Sequence, residues 1–415
     1  CEADLTMRSN IVAGLDIGST KTCAVVAEVA GEAPKQAEIR ILGVGQSRTS
    51  GMRREVVTDI EETTESVRAA VKEAELMAGV SMARVFAGIA GEHIAAATSS
   101  GVVAVADEEV GASDVQRVHE VARAVVVPAD REVLHVLPQE YRVDGQSGIR
   151  DPIGMAGMRL EAEVYIVTAS ASACSNLRKA ISRAGYGVQA FVHEPLATAQ
   201  AVVTEEEKEV GVALIDLGGS TTELAVFRDG KTRHLATIPW GGTAVTNDLA
   251  RGLALPFAEA ERAKEKFGAA FAQHVDPRDT VELPGASPGQ QRQVSRELIA
   301  HIIEQRLDEI LGLVWREVER SGEAEQLGAG VVLTGGGAQL TGTLDVAQHT
   351  FGTTVRVGTP GDGLHGLVDS IRRPKFATAT GLTLYGGNLS IKAGLVGGGG
   401  SGVLGRMVGW MKEFF

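Results

Sequence analysis

The chain has 415 residues, of which 44% are hydrophobic and 22% are charged, and its formal net charge is −13. At roughly 150 residues per domain, this length predicts two or three domains. The acidic balance argues against binding along a nucleic-acid backbone, which requires clustered lysines and arginines. Three widely spaced cysteines, Cys1, Cys23 and Cys174, argue against a disulfide framework and favour a reducing compartment. No uncharged apolar run reaches the roughly 18 residues of a transmembrane helix.

Short apolar segments alternate with long amphipathic stretches along the chain, which predicts an α/β fold. Apolar residues recur at helical spacing in three stretches, 58–77, 172–184 and 296–318. A capping residue at position 58 or 59 and a glycine at 79 are typical helix boundaries for the first of them. We expect these helices to bury their apolar stripes rather than to take part in chemistry.

Two glycine-rich motifs lie 200 positions apart in similar surroundings. Each follows an apolar run and leads into a second β-rich segment, which predicts a strand, a turn and a strand. The first motif contains Asp16, Gly18, Ser19, Thr20 and Lys21, and the second contains Asp216, Gly218, Gly219, Ser220 and Thr221. One such motif could be an ordinary hairpin turn. Two in matching contexts predict a duplicated domain.

Loops of this composition suit a phosphate group. Glycine lets backbone N–H groups approach the ligand, and serine and threonine hydroxyls add further donors. The carboxylates of Asp16 and Asp216, at the ends of their strands, suit Mg²⁺ held mostly through its waters. Lys21 could reach the outer phosphates as a point charge. The two loops are expected to face each other across a cleft.

A third glycine loop follows the apolar run 331–334 and consists of Gly335, Gly336 and Gly337. Its lack of side chains would let a flat base or a sugar lie close to the backbone. Neither a Walker phosphate loop nor the dinucleotide-binding fingerprint is present in the chain.

Two strand–turn–strand phosphate loops and a third glycine loop resemble the pattern of the actin, heat-shock chaperone and sugar kinase superfamily. The resemblance runs from about residue 10 to residue 386. It implies two actin-like, ribonuclease H-like domains around a cleft that binds ATP with Mg²⁺. It also implies that Glu261 and Lys264 lie near the ribose and base, although a solvated helix face is the alternative. Glu194 would position the attacking water, or else serve as a carboxylate at a helix start.

Several segments narrow the resemblance to the FtsA family of bacterial cell-division proteins. Residues 135–141 (HVLPQEY) and 148–155 (GIRDPIGM) are similar to a signature of that family. Residues 238–242 (IPWGG) and 381–386 (GLTLYG) are also similar to FtsA segments. The resemblance implies that the block from about 84 to 163 is an inserted subdomain of the FtsA type. In that family it contacts neighbouring protomers and later division proteins.

The C-terminal stretch combines a glycine run at 397–400, expected to be a flexible tether, with an amphipathic pattern at 403–415. On a helix, one apolar face would hold Val403, Leu404, Met407, Val408, Met411, Phe414 and Phe415, with Trp410 at its edge. A bulky apolar face, a tryptophan and basic residues suit a helix lying in the membrane interface. The alternative is a helix docked on the domain or on a partner. FtsA-like proteins end in such a membrane-targeting helix.

The predicted organisation divides the chain at the ends of these features. The ranges are 8–84 and 164–205 for the first actin-like domain, 85–163 for the inserted subdomain, 206–245 and 326–386 for the second-domain core, 246–325 for the second domain's small subdomain, 387–402 for a flexible linker and 403–415 for the membrane-targeting helix.

The family resemblance implies an ATP-binding protein that forms filaments at the cytoplasmic face of the cell membrane, at the division site. There it would tether the ring of FtsZ, whose C-terminal peptide would dock on the small subdomain, roughly 246–322. ATP would act mainly as a switch, with weak hydrolysis at most. Two alternatives share the fold, a small-molecule kinase and a pilus-assembly platform protein. Neither would need its own amphipathic tail.

Overall fold

The computed structural model describes residues 11–31, 38–124, 127–285 and 290–392. The first domain begins with β1 (Ile11–Ile17), β2 (Lys21–Ala30), β3 (Glu38–Arg48), β4 (Met52–Arg53), β5 (Val56–Val57), α1 (Ile60–Ala78) and β6 (Arg84–Ile89). Strands β1 to β3 form an antiparallel meander, and β6 returns parallel to β1. The helix predicted at 58–77 is confirmed as α1. Asp59 caps its start by accepting from the backbone N–H of Glu62, and Gly79 ends it with a left-handed φ of 69°.

The inserted subdomain has its own antiparallel sheet in the order β7-β10-β8-β9. Its elements are β7 (Ala95–Ala104), α2 (Ala112–Arg123), β8 (Arg131–Val143), β9 (Gln146–Ile149) and β10 (Arg159–Ser170). Helix α2 contacts β7 and β10 and shares an apolar core with the sheet. These bounds differ from the predicted 85–163. Strand β6 is buried from Val85 to Ile89 and pairs within the main sheet, so the insert's own strands start only at Ala95.

The chain then returns to the first domain. It forms α3 (Ala171–Arg183), β11 (Gly187–His193), α4 (Glu194–Val202) and α5 (Glu205–Val210). The helix predicted at 172–184 is confirmed as α3. Strand β11 pairs parallel with β6 and completes one side of the first sheet. Helix α4 begins directly at the end of β11, with proline at its second position, where the missing N–H costs no helical hydrogen bond.

The second half repeats this arrangement. Its elements are β12 (Val212–Leu217), β13 (Thr222–Arg228), β14 (Lys231–Ile238), α6 (Gly242–Gly252), α7 (Phe257–Phe267), β15 (Thr280–Pro284), β16 (Gln291–Ser295), α8 (Arg296–Arg320), β17 (Val331–Thr334), α9 (Thr343–Phe351), β18 (Val355–Val357), β19 (His365–Gly366) and α10 (Ala377–Lys392). Strands β12 to β14 form a meander, and β17 and β18 add in parallel, as β6 and β11 do in the first half. The predicted duplication is therefore confirmed, as is the long helix at 296–318.

The C-terminal part of the described chain crosses back to the first half. Strand β19 pairs parallel with β3, and α10 packs against β1, β2, β6 and α4. At Gly381 a β-carbon would lie 1.9 Å from the carbonyl oxygen of Ala197, so α10 and α4 approach too closely for any side chain there. Residues 387–392, predicted as linker, instead extend α10, because Leu389 and Ile391 are buried in the first-half core.

One apolar core joins the two halves behind the cleft. It contains Ala13 and Leu15 of β1 together with Leu214 of β12 and Val332 of β17. The halves are thus packed together at the middle of their central strands, and the strand ends carrying the glycine loops open into the cleft. Within the described ranges, no helix combines the length and the apolar character needed to cross a bilayer. The predicted helix at 403–415 lies outside the described residues.

Candidate nucleotide-binding site

The two glycine-rich loops lie against each other across the cleft. Ser220 Oγ of the second loop donates a hydrogen bond to Ser19 Oγ of the first, with the oxygens 2.7 Å apart. At Gly219 a β-carbon would lie 2.5 Å from Oγ1 of Thr20 and 3.1 Å from its Cβ. Any side chain at 219 would therefore push the loops apart. The structure brings the two predicted loops together although they are some 200 residues apart in sequence.

Both loops have the same backbone construction. The N–H of Gly18 donates to the carbonyl of Lys21 at 3.0 Å, and the N–H of Gly218 donates to the carbonyl of Thr221 at 3.1 Å. Each turn thus begins with the glycine that directly follows the first strand and closes onto the residue three positions later, at or directly before the start of the second strand. This leaves the intervening residues at the cleft edge, which is how the repeated sequence motif becomes a repeated structure.

The first metal-ligand candidate, Asp16, is 6% exposed and forms an ion pair with Lys21, with Nζ and Oδ2 2.9 Å apart. Lys21 also donates to the backbone carbonyl of Lys375. Burial alone would lower the pKa of Lys21, but the Asp16 carboxylate helps to raise it above its ordinary value. The lysine is therefore a permanent positive charge, and it is held on the floor of the cleft by Asp16.

The second metal-ligand candidate, Asp216, is positioned by helices α10 and α4, which pack against each other. Its Oδ2 accepts from Thr378 Oγ1 of α10 at 3.0 Å and from Thr198 Oγ1 of α4 at 3.5 Å. Burial and the neighbouring Asp16 raise the pKa of Asp216 to about 6. A cation beside it would favour the ionised form and reverse that shift.

The third glycine loop packs on the end of β12. Gly335 has a φ of +87°, and a β-carbon there would lie 2.2 Å from Asp216 Oδ1. At Gly337 a β-carbon would lie 2.5 Å from Cδ2 of Leu217. Gly336 is different, since it is exposed and has no atom within 4 Å of its β-carbon position. It is the point of this loop that a planar ligand could approach.

The predicted ribose-binding residues, Glu261 and Lys264, lie on α7. They are linked to the second loop through Gly242 at the start of α6. Lys264 Nζ, on α7, donates to Glu261 Oε2 at 2.9 Å, to Thr246 Oγ1 at 2.8 Å and to the carbonyl of Gly242 at 3.1 Å. The N–H of Gly242 in turn donates to the carbonyl of Gly218 at 3.0 Å. The Lys264 side chain is only 14% exposed, so it does not lie on a solvated helix face. Its contact with a nucleotide remains a prediction.

Glu194 is the first residue of α4 and points into the same cleft. It packs on Gly88 of β6, where a β-carbon would lie 2.7 Å from Glu194 Oε1. Burial raises the pKa of Glu194 well above its usual range, and the charges of Asp16 and Glu55 act in the same direction. Glu194 thus lies both at a helix start and in the cleft, as the two predicted roles require.

Two cleft carboxylates were not predicted from the sequence. Glu55, between β4 and β5, accepts from the N–H and Oγ of Ser19 at 3.3 and 3.0 Å. Glu223, on β13, is 5% exposed and accepts from Thr237 Oγ1 at 2.6 Å. Burial raises the pKa of Glu55 to about 7 and that of Glu223 to about 8. The sequence offered a signal for Glu223, because an acidic residue inside the apolar segment 222–228 is unusual. It offered none for Glu55, which lies in a polar stretch.

Negative charge dominates the cleft. The carboxyl groups that influence one another there are Asp16, Glu55, Glu194, Asp216 and Glu223. Lys21 is the cation that acts on both Asp16 and Asp216. Such an excess suits a divalent cation that arrives with an anionic ligand. Within the described ranges no three acidic, histidine or cysteine side chains are gathered into a ready-made chelating group.

The fold is similar to those of solved actin-like proteins. The PilM–PilN type IV pilus biogenesis complex aligns with a TM-score of 0.64 and 17% identity, over 90% of this chain and 98% of the other. MreB5 of Spiroplasma citri bound to ADP aligns with a TM-score of 0.56 and 13% identity, over 93% of this chain and 98% of the other. At these identities the likeness establishes the fold.

Sequence comparisons identify the family. Residues 213–381 match the family described as cell division protein FtsA, and residues 91–168 match the SHS2 domain inserted in FtsA. The chain is 41% identical to cell division protein FtsA of Pseudomonas aeruginosa over 91% of this chain and 89% of the relative. It is 39% identical to the Neisseria meningitidis protein over 99% and 100%, and 35% identical to the Escherichia coli K12 protein over 98% of each. Together with the actin-like fold and the inserted sheet, these matches show that the chain belongs to the FtsA family of cell-division proteins.

Proposed function

We propose that this protein binds ATP with Mg²⁺ between its two halves and uses the nucleotide to control filament formation at the membrane. The observation that carries the proposal is the apposition of the two loops, with Ser19 and Ser220 in direct hydrogen-bond contact. A phosphate chain placed there would meet backbone and hydroxyl donors from both halves at once. Structures of MreB5 bound to ADP and to AMPPNP share this fold and support the proposal.

Separate groups of residues would hold the phosphates, the adenosine and the Mg²⁺ of the cofactor. The phosphates would be held by Gly18, Ser19, Thr20 and Lys21 of the first half and by Gly218, Gly219, Ser220 and Thr221 of the second. The adenosine would lie against Gly335, Gly336 and Gly337, with Glu261 and Lys264 at the ribose. Asp16 and Asp216 would hold Mg²⁺ through its waters. When bound, the metal supplies positive charge that offsets the carboxylates around it.

Glu194 would orient a water molecule for slow hydrolysis. Burial raises the pKa of Glu194 well above its usual range, so the free carboxyl holds a proton more tightly than an exposed glutamate does. A nearby cation favours the ionised form, so the same group becomes a hydrogen-bond acceptor for water once Mg²⁺ is present. Hydrolysis would then depend on the metal twice, for the phosphates and for Glu194.

Nucleotide binding would act as a switch because its donors come from both halves. A ligand that contacts both loops stabilises the closed cleft more than the open one and shifts the population toward closure. The proposed readout is assembly of protomers into filaments. The inserted subdomain, whose sheet is separate from both main sheets, would present contacts to neighbouring protomers and to later division proteins.

Membrane attachment and the FtsZ contact rest on the family and on the sequence. The tail at 403–415 would place the protein on the cytoplasmic face of the cell membrane, and the FtsZ C-terminal peptide would dock on the small subdomain at 246–322. This subdomain contains α6, α7, β15, β16 and α8. A small-molecule kinase or a pilus platform protein of the same fold would not need such a tail.

Flotation with liposomes tests the tethering function. The full chain, a labelled FtsZ C-terminal peptide and ATP-Mg²⁺ are mixed with vesicles that contain anionic lipid. We expect the peptide to float only when the full chain is present. The matched control is the chain truncated at residue 402, which should keep binding peptide in solution and leave it unfloated. Equal flotation of the peptide by the truncated chain would overturn the proposal.

A further inference from the structure

The turn between β4 and β5 reaches from the first half into the cleft. Its two residues, Arg54 and Glu55, have φ angles of 48° and 61°. Non-glycine residues rarely take this left-handed conformation, and two in succession are kept only where the surroundings compensate for the strain. A turn of this kind invites glycine. The contacts of Arg54 and Glu55 must therefore offset the cost of this backbone conformation.

Glu55 contacts the donors of both phosphate loops. Its Oε1 accepts from the N–H of Ser19 at 3.3 Å and from Ser19 Oγ at 3.0 Å, and Thr221 Oγ1 of the second loop lies 3.5 Å away. The Glu55 N–H returns a bond to Ser19 Oγ at 3.1 Å. Its Oε2 is buried and has no hydrogen-bond partner within the described residues. The carboxylate thus sits between the loops.

Arg54 adds a second contact with the other half. Its guanidinium carbon lies 6.0 Å from the ring centroid of Trp240, and that of Arg306 lies 5.7 Å from the same centroid. Trp240 is 40% exposed and lies two residues after the end of β14, shortly before the start of α6, which contacts the second loop. This strained turn therefore contacts the second half at two points. The Arg54 guanidinium lies over the ring of Trp240, and the Glu55 carboxylate lies beside Thr221.

We infer that Glu55 competes with the outermost phosphate of a nucleoside triphosphate for the donors of the two loops. The inference rests on the proposed function, since it concerns the nucleotide in this cleft. A carboxylate and a phosphate edge are both anionic acceptors for N–H and O–H donors, so they cannot use the same donors together. Lys21, the nearby cation, is engaged with Asp16 rather than with Glu55. A triphosphate must displace the Arg54–Glu55 turn, whereas a diphosphate leaves the contested position free.

Calorimetry with ATP and ADP in Mg²⁺ tests this on the full chain. Glu55→Gln keeps the size of the side chain and removes its charge. It should raise the affinity for ATP about tenfold, equivalent to about 1.4 kcal/mol, and change the affinity for ADP less than about twofold. Glu55→Gly should do the same or more and also relieves the backbone strain. Arg54→Gly is the matched comparison, because it relieves similar strain and removes the Trp240 contact but keeps the carboxylate at the loop donors, so it should raise the ratio of ATP to ADP affinity clearly less than Glu55→Gln does.

A fall in ATP affinity in Glu55→Gln would overturn the inference and make Glu55 a support for the metal. An unchanged ratio of the two affinities would overturn it as well. If the unaltered chain binds neither nucleotide, the proposed function itself fails and the inference falls with it.

Hydrogen exchange provides a readout that needs no nucleotide. The Ser19 N–H donates to Glu55, so Glu55→Gly should speed exchange in the peptide that contains residues 18–22, and Arg54→Gly should not. Equal protection of this peptide in Glu55→Gly and in the unaltered chain would show that Glu55 does not occupy the loop donors, and the inference would be wrong.

Discussion

The closeness of the two loops makes Gly219 a sensitive position. A β-carbon there would lie 2.5 Å from Thr20 Oγ1, about 0.9 Å short of the 3.4 Å at which ordinary contact begins. The other near atoms, Cγ2 at 2.7 Å and Cβ at 3.1 Å, belong to the same threonine. Rotating the Thr20 side chain cannot relieve the contact with Cβ. Gly219→Ala should therefore separate the loops by several tenths of an ångström.

The cost should appear in ligand binding and not in folding. Overpacking of about one methyl group costs about 1–3 kcal/mol where the surroundings cannot give way. At the cleft the loops can move apart, so the melting temperature should change by less than about 1 °C, corresponding to about 0.5 kcal/mol or less in a protein of this size. Closure around a ligand must bring the loops back together, so ATP affinity should fall about ten- to hundredfold.

A double-mutant cycle separates this explanation from a general effect of the substitution. Thr20→Gly removes all three clashing atoms, so Thr20→Gly with Gly219→Ala should restore most of the affinity that Gly219→Ala loses. Calorimetric titration of ATP-Mg²⁺ into the four proteins gives the coupling directly. Additive losses in the double variant would show that the loops do not meet at these residues, and the arrangement of the cleft would be refuted.

Four further predictions concern single groups. Asp216→Ala should weaken ATP-Mg²⁺ binding about tenfold or more by calorimetry, and unchanged affinity would exclude a metal role. Glu194→Ala should keep ATP binding and abolish slow phosphate release, whereas equal release would leave Glu194 a helix-start residue. The raised pKa of Glu223, about 8 against an ordinary 4.5, means that its folded form holds the proton more tightly. The protonated Glu223 therefore contributes stability that is fully present below pH 4.5 and is lost as the pH rises through 8. Glu223→Gln should make the free energy of unfolding fall less steeply between pH 4.5 and 8. Equal slopes in the variant and the unaltered chain would contradict this. Trp410→Glu or Met407→Glu should release the protein from liposomes without lowering the melting temperature, and retained co-sedimentation would place the anchor elsewhere.

Some features of the site could be predicted from the sequence because a few consecutive residues specify them. An apolar run, an aspartate and glycines within six residues specify a strand end and an open turn, so Asp16 and Asp216 were found together with their loops. The repeat also fixed the topology, since two equal motifs imply two equal sheets. The repeat further predicted that the two loops face each other across a cleft, whereas the direct Ser19–Ser220 hydrogen bond was not predicted.

Features that depend on tertiary packing could not be predicted in this way. Glu55 is an exposed-looking residue in a polar turn, and only the fold brings it to Ser19. The continuation of α10 through residue 392 depends on burial of Leu389 and Ile391 against the first half. The start of the insert was misplaced because β6 pairs with β1, a partner some 70 residues earlier in the chain. Pairing between strands so far apart in the sequence produces no local hydrophobic pattern from which it could be predicted.

Binding of ATP by both halves at once is tested most directly by calorimetry of three full-length proteins, the unaltered chain, Asp16→Asn and Asp216→Asn. The two variants remove one charge each from opposite sides of the cleft and keep the shape of the side chain. We expect one saturable ATP-Mg²⁺ site per chain in the unaltered protein and a clear loss of affinity in both variants. Loss in only one variant would place the nucleotide on one half, and no saturable binding in the unaltered chain would contradict a nucleotide site in this cleft.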